Sequence, residues 1–213
     1  MKDKLLKIFL VINTIILIIS FSISVVILYR PFYYHQISSL KLVEKTGYTY
    51  HEIKEAYDDV LDYLTFNKSF SAGKLKYSED GYNHFKDCKN LFVIDFLLLG
   101  LSTIIYIIQK KKYNKIKIIN HSIEFWSSSI TLSFIIILLL TSFLIGFNKC
   151  FTIFHSIFFF GKDNWLFDSN IDEIIDILPE EYFMNCGIFI ILIMCLISIL
   201  FIITELYNRK RNN

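Results

Sequence analysis

The chain has 213 residues, 54% hydrophobic and 17% aromatic, with a mean hydropathy of +0.48. That is too apolar for an ordinary water-soluble domain and points to a protein integral to a membrane. A net charge of +2 gives no reason to expect a nucleic-acid partner, and two prolines and seven glycines leave little room for disordered linkers.

Lys2, Lys4 and Lys7 precede an uncharged run over residues 8–29, long enough to cross a hydrocarbon core of about 30 Å. A cleaved signal peptide would have a shorter apolar core and end in small residues. Here the run ends Val-Ile-Leu-Tyr-Arg-Pro-Phe, so it is read as an uncleaved first transmembrane helix. Apolar runs over 91–108, 130–147 and 186–206 supply three further spans, with no internal repeat. The expected fold is all-α. It is an integral-membrane four-helix bundle in one domain, 1–213, with two extracytoplasmic segments, 30–90 and 148–185, that contain amphipathic helices.

Orientation is read from lysine and arginine placement. The linker 109–117 holds Lys110, Lys111, Lys112, Lys115 and Lys117 and no acid, and the tail adds Arg209, Lys210 and Arg211. The stretch 148–185 holds two lysines against seven acids. Both termini and the linker are therefore expected on the cytoplasmic side of the cell membrane.

Within the first outer segment, Ile53, Ala56, Tyr57, Val60, Leu61 and Leu64 form a helical stripe across 49–64, with charges on the opposite face. Residues 78–90 are expected as a helix leading straight into the second span. Trp126 and Trp165 suit interfacial positions. In the second outer segment, Ile171, Ile174, Ile175 and Leu178 suggest a short amphipathic turn. Pro179 suits the first residue of the last helix.

The stretch 151–165 carries the strongest local pattern. Read as a helix stopped by Gly161, it puts Phe151, Phe154, His155, Phe158 and Phe159 on one face. Burial disfavours a charged imidazole, so His155 is expected neutral near pH 7 and able to accept a proton. The plainer alternative is a core or interface histidine with a satisfied hydrogen bond. His84 shares a helix face with Asp87, Cys88, Leu91 and Asp95. A carboxylate one turn away would fix its tautomer, and Asp95, one turn inside the membrane, is costly enough to be a functional candidate. The alternative is a solvated His84 and a snorkelling Asp95. His35 and His51 have no comparable setting, and His121 falls on the cytoplasmic side.

None of the four cysteines, Cys88, Cys150, Cys186 and Cys195, shows metal-ligand spacing, so no metal site is expected. Cys195 sits in an apolar run; Cys150 and Cys186 flank one loop and form a candidate disulfide pair. No cation cluster or helix N-terminus near Cys88 is evident to lower its thiol pKa, and Ser156 cannot reach the adjacent His155. Two histidines without a protein nucleophile suit a substrate that brings its own.

Tyr82-Asn-His84-Phe-Lys-Asp87-Cys88-Lys89 resembles the H-x-x-D-V-K element of the lipoprotein intramolecular transacylases, small four-span membrane proteins of Gram-positive bacteria. Phe151-Thr-Ile-Phe-His155-Ser-Ile-Phe158, Asn164-Trp165-Leu-Phe-Asp168 and Ile177-Leu-Pro179-Glu-Glu-Tyr-Phe183 resemble that family's F-x-x-x-F-H-x-x-x-F…W-x-x-D…L-P-E-x-F-F signature. Residues 46–64 resemble its outer helix. Cys88 departs from the pattern, where the family usually has an aliphatic residue. The resemblance implies a diacylglyceryl lipoprotein substrate within membrane lipid, and no cofactor. One acyl chain would move from the sn-2 glycerol oxygen to the α-amine of the lipidated cysteine, giving the lyso form. It places the chemistry on His84 and His155. The residue pattern itself adds Asp87, Asp95 and Trp165 as expected support, and Phe151, Phe154, Phe158 and Phe159 as the expected acyl-chain pocket. Two other readings remain beside it: an ester hydrolase releasing free acid, and a non-enzymatic metal-responsive or scaffold protein using the two histidines as ligands.

Overall fold

A computed structural model describes residues 2–113, 123–168 and 170–212. In chain order these form α1 (Lys2–Leu28), α2 (Arg30–Ser39), α3 (Leu42–Thr46), α4 (Tyr50–Phe66), α5 (Glu79–Tyr113), α6 (Ile123–Ile145), α7 (Phe147–Phe158), a 3₁₀ turn (Glu173–Ile177) and α8 (Glu180–Asn212). The all-α expectation is met among the described residues. Lys115, Lys117 and His121 lie outside them.

The chain divides into two compact units: residues 1–25, 95–144 and 188–213 form one, and 26–94 with 145–187 form the other. The first draws on α1, α5, α6 and α8, which among the described residues are the four helices long and apolar enough to cross a membrane. Ile18, Ile135 and Met194 make its core. Thr14, Ser22, Ser127, Ser128, Thr131 and Ser198 are buried, and such small side chains let helix backbones approach closely. Polar ties cross it: Asn13 donates to the Ser102 carbonyl at 3.1 Å, and Ser24 Oγ to Asp95 at 2.7 Å. Its outward side chains include Leu139, Phe143, Leu144, Leu192 and Ile203, all at least half exposed. Each would favour leaving water by about 1.5–3 kcal/mol if fully covered, so lipid is the solvent this surface fits.

The second unit has a core of its own. Thr49 and Glu52 make a capping box that starts α4, and Asn67 in the left-handed region ends it. The α4 stripe buries Ile53, Ala56, Tyr57, Val60, Leu61 and Leu64 as expected. Tyr33 of α2 stacks on Tyr57 at 3.6 Å and donates its hydroxyl to the Ile177 carbonyl at 2.7 Å. Arg30 holds Asp58 at 2.8 Å and also pairs with Asp62.

Three boundaries differ from expectation. The third apolar run does not continue to residue 147: α6 stops at Ile145, Gly146 takes φ +82°, and α7 begins at Phe147. Only glycine enters that region cheaply. The turn before α8 excludes Ile171, which is 53% exposed and whose N–H bonds back to the Asp168 carbonyl. Pro179 precedes α8, its carbonyl accepting from Tyr182. All four cysteines are free, including the Cys150 and Cys186 pair.

Candidate active site

The second unit gathers its chemistry around the N-terminal turns of α5, which precede the apolar part of that helix after Asn90. The start of α5 is held from the segment before α8. Asp172, almost fully buried, accepts from the Ser78 N–H at 2.6 Å and from Ser78 Oγ at 3.1 Å. A carboxylate suits the positive end of a helix. Gly81 makes the close approach possible, since a Cβ there would stand 2.5 Å from Asp172 Oδ1.

One turn on, His84 is buried, and His155 of α7 is buried beside it. Their ring centroids are 5.9 Å apart, at an interplanar angle of 27°. Phe159, in the turn that ends α7, touches both, at 4.7 Å from His84 and 5.5 Å from His155. Phe167 stands edge-on to His84 at 5.3 Å. Phe151 at 4.1 Å, Trp165 at 4.9 Å and Phe154 at 5.4 Å enclose His155. The structure thus brings together two imidazoles separated by 71 residues in an almost wholly aromatic wall.

The two rings differ in hydrogen bonding. His155 Nδ1 lies 2.8 Å from the Phe151 carbonyl, which can only accept. The proton of the neutral ring is therefore on Nδ1, and Nε2 carries a lone pair. His84 Nε2 lies 3.4 Å from Cys88 Sγ, and its buried Nδ1 has no partner among the described residues. Burial, with the neighbouring His155 second, pushes the His84 pKa down to about 4. Burial also lowers His155, against its bond to Phe151. Both rings are neutral at pH 7. Burial, then the charge of Asp87, raises the Cys88 thiol to about 12, which makes it no nucleophile.

Asp87 departs from the expected brace on His84. Its carboxylate accepts from Lys162 Nζ at 2.5 Å and Asn164 Nδ2 at 3.0 Å, and acts on His84 through charge alone. Burial pushes its pKa up, but those bonds outweigh burial and hold it below the usual range. The pairing fixes the 159–168 loop, where Trp165 Nε1 donates to the Lys162 carbonyl at 3.0 Å and its ring lies against His155. Asp95 belongs to the other unit and accepts from Ser24 rather than serving His84. Phe158 packs on Phe154 and is 52% exposed; α7 turns it off the His155 face. Sequence reasoning missed Lys162, Asn164, Phe167 and Asp172, whose partners are set by the fold of the loop. Among the described residues no three His, Cys, Asp or Glu side chains are placed to hold one metal ion.

A sequence profile of the family described as lipoprotein intramolecular transacylase Lit matches residues 8–183. Comparison with curated proteins gives no sequence match. Among solved structures, the chain is similar to the membrane-integral lipoprotein intramolecular transacylase Lit from Bacillus cereus. That likeness has a TM-score of 0.91 at 29% identity and covers 100% of this chain and 99% of the other. Structures of the same Bacillus cereus enzyme with a histidine-to-arginine or a histidine-to-alanine mutation each give a TM-score of 0.85 at 29% identity. They cover 99% and 100% of this chain, and 93% and 96% of theirs.

Proposed function

Since the chain belongs to the lipoprotein intramolecular transacylase family and is a membrane-integral acyltransferase, we propose that His84 and His155 carry its acyl transfer. The substrate is a diacylglyceryl lipoprotein, and the sn-2 acyl chain moves from the glycerol oxygen to the α-amine of the N-terminal cysteine. The product is the lyso form, with an N-acyl amide and a free glycerol hydroxyl.

The observation that carries this reading is the opposite hydrogen bonding of two neutral, adjacent imidazoles. The amine, with an ordinary pKa of about 7.7–8.0, attacks the ester carbonyl as its neutral form. As the C–N bond forms, its proton passes to His155 Nε2, the nitrogen left with a lone pair by the Nδ1 bond to Phe151. The developing oxyanion accepts a hydrogen bond from His84 Nδ1, which is buried and free of other partners among the described residues. The intermediate collapses, the C–O bond to glycerol breaks, and His155 returns its proton to the departing glycerol oxygen. Neither ring ends charged, in keeping with the burial that disfavours imidazolium in both.

Amine and ester lie in one molecule, so positioning supplies much of the rate; effective molarities reach roughly 10⁵ M and above. Phe151, Phe154 and Phe159 flank the acyl chain and keep out the water that would otherwise hydrolyse the ester. The site faces the extracytoplasmic side of the cell membrane. Lys110, Lys111, Lys112, Arg209, Lys210 and Arg211 mark the opposite, cytoplasmic ends of α5 and α8.

The test is mass spectrometry of a lipoprotein N-terminal peptide from cells expressing the wild type, His84→Ala or His155→Ala. The wild type gives the lyso form, and both variants leave the diacyl form while remaining in the membrane. Free fatty acid with an unmodified amine would indicate a hydrolase, and lyso product from either variant would remove that histidine from the mechanism.

A further inference from the structure

The reaction described above needs His84 to present an N–H, and a neutral imidazole has only one. Two tautomers are open to it. With the proton on Nε2, the ring would point N–H at the Cys88 sulfur and leave Nδ1 as a second lone pair. The site would then hold two acceptors, His84 Nδ1 and His155 Nε2, and no imidazole donor for an oxyanion. With the proton on Nδ1, the Cys88 thiol donates to Nε2, and the two rings offer one donor and one acceptor.

We infer that Cys88 is a positioning residue that holds His84 in its Nδ1–H tautomer, through a thiol hydrogen bond to Nε2. The geometry supports the donation in this direction. Sγ and Nε2 are 3.4 Å apart, one helical turn from each other on α5. An imidazole lone pair is a good acceptor, whereas thiol sulfur is a weak one, so S–H···N is the better use of the contact. Burial keeps the thiol protonated and able to donate. The other ring nitrogen is the buried atom without a partner among the described residues, on a side chain only 6% exposed. That leaves His84 Nδ1–H as the unclaimed N–H of the pair among the described residues. Asp87, the neighbour best able to compete for the ring, is already taken by Lys162 and Asn164.

The role differs from that of a cysteine nucleophile: the thiol forms no covalent bond and keeps its proton throughout. The inference rests on the function proposed for His84, and it has a readout independent of turnover.

The experiment uses full-length protein in detergent with ¹⁵N-labelled histidine, in wild type, Cys88→Ser, Cys88→Ala and Cys88→Val. His84→Gln assigns the signal. The wild-type His84 spectrum should show a protonated Nδ1 and an unprotonated Nε2. Cys88→Ser, which keeps a donor, should retain both the pattern and the rate. Cys88→Ala and Cys88→Val should shift the pattern toward a protonated Nε2. Their kcat should fall roughly threefold to tenfold, the worth of one net hydrogen bond, with KM unchanged. Valine fills the space that alanine leaves, so a fall common to both reports the donor and not a cavity. An Nε2–H signal in the wild type overturns the inference. So does an unchanged His84 spectrum in Cys88→Val, or a Cys88→Ser variant as slow as Cys88→Ala. If no variant and no wild type makes lyso product, the function fails while the tautomer assignment is still decided by the spectrum.

Discussion

Gly81→Ala sets two physical arguments against each other with opposite signs. Helix propensity alone favours the substitution by at most about 1 kcal/mol, because glycine is the more flexible residue in the unfolded chain. The packing opposes it. The new Cβ would meet Asp172 Oδ1 at 2.5 Å and Phe167 Cε1 at 3.2 Å, where ordinary contact begins near 3.4 Å. Asp172 must retreat by about 0.9 Å, the difference between those limits, yet it is only 4% exposed and held by two bonds to Ser78. Hydrogen bonds to a charged group contribute about 1.5–3 kcal/mol each. Losing one and weakening the other outweighs propensity, for a net destabilisation of about 2 kcal/mol. In a chain of this size that lowers Tm by roughly 4–8 °C. Phe167 moves with the loop, so its edge contact to His84 loosens and activity falls as well. The assay is thermal unfolding of purified protein in detergent, with lyso-form production measured alongside. A Tm equal to or above wild type would refute the reasoning, since it would mean that Asp172 is not fixed where the start of α5 needs it.

Acidification should destabilise the wild type in a defined window. His84 has a folded-state pKa of about 4 against an ordinary 6.5, so the unfolded chain takes up the proton first. Stability from the neutral ring is whole above about pH 6.5 and is lost as pH falls toward 4, by up to about 3 kcal/mol. Comparing Tm between pH 7.5 and 4.5 for wild type and His84→Gln checks this, and equal slopes would contradict it. The rate against pH should rise with unit slope up to the amine's own pKa near 7.7–8.0, with no imidazole limb at the ordinary 6.5, because burial lowers both rings below it. A histidine limb near 6.5 would count against the buried pair. Asp87→Ala frees Lys162 and Asn164. The ion pair is half exposed on the lysine side, so stability should change by less than about 1 kcal/mol, while kcat falls by about tenfold as Trp165 loses its anchor on the loop. A large Tm loss without a kcat effect would show that the pairing serves the fold and not the site.

The spans and the α4 stripe were legible because hydropathy and helical period are local properties of the chain. The break at Gly146 was not: apolar residues continue on both sides of it, and a single glycine inside such a run resembles many that sit in unbroken helices. The face shared by His84, Asp87 and Cys88 was visible from spacing, but spacing does not rank partners. Lys162 and Asn164 reach Asp87 only once the loop after Gly161 folds back, and a lysine outcompetes a neutral imidazole for a carboxylate. In the aromatic stripe of 151–159, Phe151 and Phe154 lie against His155. At its end, α7 stops after Phe158, so Phe159 turns inward and Phe158 outward. The pairing of residues 84 and 155 had no local signal at all. Each histidine stands out singly, His155 by its aromatic stripe and His84 by its helix face, and the 5.9 Å between the rings is a property of the folded unit.

The most direct measurement follows one acyl chain. A synthetic diacylglyceryl lipopeptide with deuterium only in its sn-2 chain is incubated with purified wild type, His84→Ala and His155→Ala, and the peptide is sequenced by mass spectrometry. The account predicts the deuterated acyl chain on the cysteine α-nitrogen with wild type and none there with either variant. Label transferred at the wild-type rate by either histidine variant, or released as free fatty acid, would contradict it.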